Sequence, residues 1–289
     1  MEHCVNLTDI DSRYFGKTER RVTAVGLGGE GILRTHGQEE GALAVIRQAI
    51  DRGITYFDCA RVYAGSEGYY GKVWKERPDL RAEIFQASKS ARRTRAGAMS
   101  DLDVTLATMG LDHLDLWQIH DVRTRGDLDE ISGPGGALEA FVEARQSGKT
   151  RYIGVTGHHD PEILAEAVRD WPVDSVMMPV NPVEAVIGGF LDRTLREARR
   201  KGLAVIAMKV LGGGHYLFAD SGITAWNLIR FALSQDISVA IVGCSSPAHV
   251  ETLVEAGSPC QPMDMDEQHA MKALFEPVAH RLAFYRGVL

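Results

Sequence analysis

Ala204-Val205-Ile206-Ala207-Met208 is apolar at every position and runs straight into Lys209-Val210-Leu211-Gly212-Gly213-Gly214. A strand with one wet face alternates apolar and polar side chains. A run apolar throughout is covered on both faces, as in a parallel sheet between helices. Helical patterns flank this run, at 190–201 before it and 223–234 after it, and Val239-Ala240-Ile241-Val242 repeats it. Traced outward, the same alternation fills the chain. Strands are expected at Val22–Leu27 and at 54–58, 84–88, 114–119, 152–156, 174–178, 203–209 and 238–243. Helices are expected at about 39–52, 66–76, 97–109, 135–147, 161–170, 190–201, 223–234 and 247–255. Alternation of this kind predicts an α/β fold with a parallel sheet. Eight such units predict a (β/α)8 TIM barrel. Residues 264–284 form a further helical pattern, expected on the barrel's outside, and no linker or low-complexity stretch divides 1–289, which reads as a single domain.

Composition narrows the partners. A net charge of −7 over 289 residues argues against a nucleic-acid backbone or an anionic membrane. No apolar run approaches about 18 residues, and the start has no basic segment followed by an apolar one, so neither a membrane span nor a signal peptide is expected. Cys4, Cys59, Cys244 and Cys260 are isolated, without a Cys-x-x-Cys pair. No zinc or cluster site is expected, and a reducing cytoplasm is. Oligomeric state is not legible.

Four residues stand at or just past three consecutive strand ends. Asp58 closes Ile54-Thr55-Tyr56-Phe57-Asp58, with Tyr63 five residues on; Lys89 ends Ile84–Lys89; His120 ends Leu114–His120. In a parallel barrel these ends share one mouth, where active sites are built. Each residue has an ordinary reading alone: a strand-end Asp caps a helix, and a Lys reaches out to solvent. An acid, a phenol, an amine and an imidazole together point to chemistry. Gly26-Leu27-Gly28-Gly29-Glu30-Gly31 matches the dinucleotide fingerprint G-x-G-x-x-G, but Ile32–Gly37 separates it from any helix. Asp58 also lies farther on than the roughly 20 residues that fingerprint requires. The glycines, Gly28 among them, are read as a mouth loop near a ligand.

With these residues in place, the chain resembles the aldo-keto reductase family over nearly its whole length. Arg13–Thr18 is similar to the family's N-terminal hairpin, and Gly53–Tyr63 with Gly65-Ser66-Glu67 and Gly71 to its most recognisable signature. Ser88-Lys89, Ile119-His120 and Lys149–Thr156 follow in register, while Thr156-Gly157-His158 and Met208-Lys209-Val210-Leu211-Gly212-Gly213-Gly214 resemble variants of a bacterial branch. The resemblance implies hydride transfer between a nicotinamide and the carbonyl carbon of an aldehyde, ketone or sugar. It makes Tyr63 the proton donor, Lys89 the cation favouring its anion, Asp58 the partner of Lys89, and His120 the group orienting the substrate oxygen or sharing the proton.

The cofactor contacts it implies depart from the family pattern. Thr156 takes a Ser position beside the carboxamide, Gly157 stands for an Asn, Met177 for a Gln, and Met208 for a ring-stacking aromatic. Packing inside the barrel is an equal reading of both methionines. His158 or His159 would compensate; adjacent histidines point apart, and no metal is expected. Lys209, Leu211, Gly212 and Gly213 are placed along the pyrophosphate. Gly243, Ser245, Ser246 and His249 are placed at the adenosine phosphate, before a helix start. NADPH is favoured by family habit and NADH is the alternative. The Asp121–Pro134 loop, rich in Asp and Arg, and the short tail after the last helix suggest an open, polar pocket suited to sugars or other hydroxylated carbonyls. A rival reading is a cofactor-binding, redox-sensing regulatory barrel with little turnover, which Gly157, Met177 and Met208 would favour.

Overall fold

The structure, a computed structural model, describes residues 10–218, 221–259 and 262–287. A hairpin of β1 (Ser12–Tyr14) and β2 (Arg21–Thr23) opens it. Eight parallel strands then close into a barrel: β3 (Val25–Gly31), β4 (Tyr56–Asp58), β5 (Phe85–Ser90), β6 (Leu114–Ile119), β7 (Thr150–Thr156), β8 (Ser175–Pro179), β9 (Ala204–Met208) and β10 (Val239–Cys244), the last pairing with β3. Around them lie α1 (Glu39–Asp51), α2 (Ser66–Glu76), α3 (Arg95–Met109), α4 (Arg125–Ser132), α5 (Ala137–Gln146) and α6 (Pro161–Asp170). The second half carries α7 (Pro182–Ile187), α8 (Leu195–Lys201), α9 (Ala225–Leu233), α10 (Pro247–Gly257), α11 (Met265–Phe275) and α12 (Ala279–Leu282). The expected barrel is the observed one. No described helix is long and apolar enough to cross a membrane.

The core has two layers, as a filled barrel requires. Between strands and helices, apolar faces pack as in the Trp117–Phe141 stack, with ring centres 3.7 Å apart. Inside the barrel, the hairpin's Phe15 enters from below and meets Phe85 at 4.7 Å and Tyr152 at 5.8 Å, with Tyr56 stacked on Phe85 at 5.2 Å. These rings make a solid floor at the N-terminal ends of the strands. The opposite ends form the mouth.

Three local expectations change. The Gly26–Gly31 run is not a loop; it is strand β3, and a Cβ at Gly26 would sit 2.8 Å from the Tyr56 ring. Its glycines let neighbouring groups close over the strand. The polar loop after β6 contains helix α4, nucleated by a capping box of Thr124 and Asp127, with Leu128 and Ile131 as its buried face. Helix α7 begins at an Asn181 cap with Pro182 at its first position, and its six residues are too short to display a period.

Candidate active site

Asp58 ends β4, Lys89 is one residue from the end of β5, and His120 follows β6. Sheet pairing continues past these ends and fixes the backbone there. Cys59 N–H donates to Ala87 O at 3.1 Å, Arg61 N–H to Lys89 O at 3.0 Å, and His120 N–H to Ser90 O at 2.9 Å. Tyr63 arrives from the β4–α2 turn, whose fold is closed by its own N–H on Ala60 O at 2.9 Å. The Lys89 ammonium donates to Asp58 Oδ2 at 2.5 Å and to Cys59 O at 2.8 Å, and both side chains are buried. That ammonium lies 5.0 Å from the centre of the Tyr63 ring. The His120 ring meets Tyr63 edge-on at 5.7 Å. The four expected residues form one cluster at the mouth.

Burial works against charge on both Asp58 and Lys89, while their mutual attraction holds Lys89 above its ordinary value. We read the pair as carboxylate and ammonium. Burial pushes the Tyr63 phenol up to about 12, and Lys89 pulls the other way without overcoming it. This corrects the expectation of a phenol brought down: at neutral pH Tyr63 is a protonated hydroxyl. Burial, with the Lys89 ammonium adding to it, lowers His120 to about 3, so its imidazole is neutral.

Several groups hold this cluster that sequence reasoning gave no role. A Cβ on Gly29 would lie 2.8 Å from the Tyr63 ring and 2.9 Å from Asp58 O, so the tyrosine rests against bare backbone. Buried Glu67 accepts from Ser88 Oγ at 2.9 Å and Thr105 Oγ1 at 2.7 Å and pairs with Arg61 at 2.8 Å, tying the Tyr63 turn to β5 and α3. Arg34, paired with Glu30 at 2.8 Å, lies over the Tyr63 ring at 4.8 Å. Gly65-Ser66-Glu67 signalled the Glu67 support; nothing in the pattern signalled the Arg34 stack.

The residues expected at a cofactor lie on the same rim in separate groups. Thr156 ends β7, and its hydroxyl accepts the Asp121 N–H at 2.8 Å. Gly157 donates its N–H to Met177 O at 3.2 Å, and a Cβ there would sit 2.8 Å from Val122 O, so close backbone excludes a larger residue. Met177 is buried with Leu116 and Ile206 inside the barrel, and Met208 packs partly buried against that cluster. Lys209 has φ 54°, and the glycines after it have φ 55°, 65° and 93° at Gly212, Gly213 and Gly214. Leu211 opens this turn. On the adjoining strand, Gly243 pairs in register with Gly28, and a Cβ on Gly243 would meet Glu30 at 2.7 Å. Ser245 N–H donates to His249 Nδ1 at 3.3 Å, and Ser246 caps α10 without a side-chain bond to its amides.

Tyr285 and Arg286 are docked against α7. Tyr285 Oη donates to Glu184 Oε1 at 2.7 Å and accepts from Asn181 Nδ2 at 3.1 Å. Arg286 pairs with the same buried Glu184 and stacks on Phe190 at 5.0 Å. The Asn181-Pro182 dipeptide after β8 was the available signal for this anchor. A concavity of about 630 Å³ opens at the floor end, between the hairpin and the start of β9, with Arg199 and Asp236 already paired there at 2.8 Å. The titratable groups converge at the opposite end, at the mouth.

A sequence model described as the aldo/keto reductase family matches residues 24–222. L-galactose dehydrogenase of Arabidopsis thaliana is 28% identical over 320 aligned residues, covering 94% of this chain and 96% of that protein. L-glyceraldehyde 3-phosphate reductase of Escherichia coli (strain K12) is 25% identical over 224 aligned residues, 70% of this chain and 62% of that protein. Among solved structures, an aldo-keto reductase from Klebsiella pneumoniae in complex with NADPH superposes with a TM-score of 0.75 at 22% identity, over 92% of this chain and 95% of that one. At such identity the likeness is one of fold.

Proposed function

The chain belongs to the aldo/keto reductase family, and on that premise we propose how its residues carry out the family's reaction, the NAD(P)-dependent interconversion of a small carbonyl and its alcohol. Bound NADPH would supply the hydride for the carbonyl carbon. Tyr63 gives its phenolic proton to the carbonyl oxygen. Held up to about 12, that phenol stays protonated until negative charge develops on its acceptor. The Lys89 ammonium then stabilises the phenolate left behind, and Asp58 keeps it charged and in place. His120, neutral at working pH, orients the carbonyl oxygen as a hydrogen-bond partner. The observation that carries this reading is the convergence of Lys89, held by Asp58, and of His120 on Tyr63.

The rim fits a dinucleotide at its phosphate end. Gly213 and Gly214 have positive φ, and a Cβ on Gly214 would meet nothing within 4 Å, so a ligand can approach that backbone closely. Lys209 stands beside it. The start of α10, with Ser245 and Ser246 exposed or half-exposed and no side-chain cap, suits the 2′-phosphate that distinguishes NADPH from NADH. Replacing Ser246 by Asp should therefore weaken NADPH more than NADH in a fluorescence titration; equal loss would remove the phosphate from this loop. The Thr156 hydroxyl, which accepts from Asp121, still has its own hydrogen to offer a carboxamide.

For substrate we favour a hydroxylated aldehyde or sugar. Glu30 and Arg34 over Tyr63, with Asp121 and Arg123 next to His120, make the rim polar and matched to hydroxyl groups. Free, buried Cys59 and Cys244 suit a reducing cytoplasm; Cys4 and Cys260 lie outside the described residues. The deciding experiment is Tyr63→Phe. We expect NADPH binding to persist while aldehyde reduction falls by about 10²–10⁴, the usual worth of a positioned acid. Turnover kept at the parent level would remove Tyr63 from the mechanism.

A further inference from the structure

His158 lies between two acceptors. Its Nδ1 is 2.9 Å from the carbonyl oxygen of Tyr285, and its Nε2 is 3.3 Å from Asp121 Oδ1. A ring nitrogen facing a carbonyl must carry a hydrogen, so a neutral His158 points the lone pair of Nε2 at a carboxylate. The imidazolium donates on both sides. Asp121 supplies the matching half. Its Oδ2 is held by Arg123 Nε at 2.7 Å, whereas Oδ1 is buried without a hydrogen-bond partner.

Asp121 is the residue after His120, and its backbone is held in an unusual shape. With φ 59° it joins Lys209 as a non-glycine residue in the left-handed region. Thr156 Oγ1 takes its N–H at 2.8 Å, and Arg93 donates to the carbonyl oxygens of both His120 and Asp121, each at 2.8 Å. Such strain persists where the surroundings over-determine it. The backbone of the turn is tied on both sides, while its carboxylate is tied through one oxygen.

We propose that His158 is a positioning residue: on taking a second proton it bridges the tail at Tyr285 to the Asp121 turn, and so fixes the turn that presents His120. This rests on the reading of His120 as the group that orients the carbonyl oxygen. The proton comes from solvent and returns to it. Burial is the largest influence on His158 and holds it below its ordinary value; Asp121 opposes this, the Tyr285 carbonyl sides with Asp121, and Lys209 and His159 side with burial. The bridge therefore closes in mild acid and opens towards neutrality.

The test uses the full chain labelled with ¹⁵N-histidine. Long-range ¹H–¹⁵N spectra from pH 4.5 to 8, with His158 assigned through His158→Gln, should show Nδ1 protonated throughout and Nε2 gaining its proton as pH falls. Asp121→Asn should lower that midpoint by about one pH unit. A neutral ring protonated on Nε2, or a midpoint indifferent to Asp121→Asn, overturns the bridge. With saturating NADPH and DL-glyceraldehyde, KM should fall about fivefold from pH 7.5 to 5.5 in the parent, a modest coupling, with kcat little changed. In His158→Gln, which keeps a donor for Tyr285, KM should change less than twofold. Parallel pH responses overturn the positioning role. The spectra need no turnover, so a chain that fails to reduce the aldehyde counts against the proposed activity and leaves the bridge decided separately. Should His158→Gln not fold, His158→Asn supplies the assignment, and the parent and Asp121→Asn spectra decide the bridge.

Discussion

Replacing Lys89 by Met separates the charge of the Asp58–Lys89 pair from its packing. At 2.5 Å and an effective dielectric of 20, the attraction between the two ions is about 7 kcal/mol. Against it stands the cost of desolvating each ion, several kcal/mol apiece, so the intact pair contributes little net stability. Removing the ammonium deletes the attraction and leaves the carboxylate's desolvation cost in place, in a site where Asp58 Oδ1 already has no hydrogen-bond partner. The expected loss is about 3–5 kcal/mol at pH 7. Urea unfolding followed by tryptophan fluorescence measures it. The second arm is Asp58→Asn/Lys89→Met, which removes both charges and should recover at least half of that loss. The third arm is pH. Burial already holds Asp58 above its ordinary value with Lys89 lowering it, and without Lys89 it rises further above its unfolded value near 3.9. Stability from such a group is present below the unfolded pKa and lost as pH rises through the folded one, so the deficit of Lys89→Met should shrink towards pH 4. A loss under about 1 kcal/mol, or a double variant no more stable than the single one, would refute a charged pair.

Three further outcomes are expected. Gly29→Ala places a Cβ 2.8 Å from the Tyr63 ring and should cost about 1–3 kcal/mol and at least about tenfold in kcat as the phenol moves; unchanged kcat would mean that Tyr63 has room to shift. Glu184→Ala leaves the Arg286 guanidinium, 9% exposed, without its carboxylate and should cost about 3 kcal/mol, while hydrogen exchange at the Gly287 N–H, which donates to His159 O, speeds up. His120 sits at about 3 in the folded chain against about 6.5 unfolded, so the unfolded state binds more protons between these values and stability drops as pH falls through them. The ceiling on that loss is about 5 kcal/mol, and His120→Asn should flatten the acid side of a Tm-versus-pH curve.

The barrel was legible because its signal is repeated: the apolar runs of β9 and β10 and the helices between strands each carry the pattern independently. The four mouth residues were legible for a related reason, since strand ends converge in a parallel barrel whatever lies between them in sequence. Short elements were not legible. Helix α7 turns on one cap and one proline, and α4 on one capping box, which leaves no period to count. Positive-φ turns at Asp121 and Lys209 are invisible in sequence because neither residue is glycine. Contacts such as His158–Asp121 and Tyr285–Glu184 join segments about 40 and 100 positions apart, and no local pattern encodes them. The phenol's shift was missed in direction because burial, which outweighs Lys89, is a property of the assembled site.

The aromatic floor has a practical consequence. Phe15, Phe85, Tyr152 and Tyr56 fill the barrel beneath the mouth with stacked and tilted rings, so that end is mechanically supported and lies opposite the proposed site. Attachment chemistry can be confined there. A cysteine introduced at Tyr14 or Lys17, both exposed at the rim of the lower concavity, would tether the protein to an electrode or bead with its working face turned to solution. The proposed site around Tyr63 would then stay open to solution.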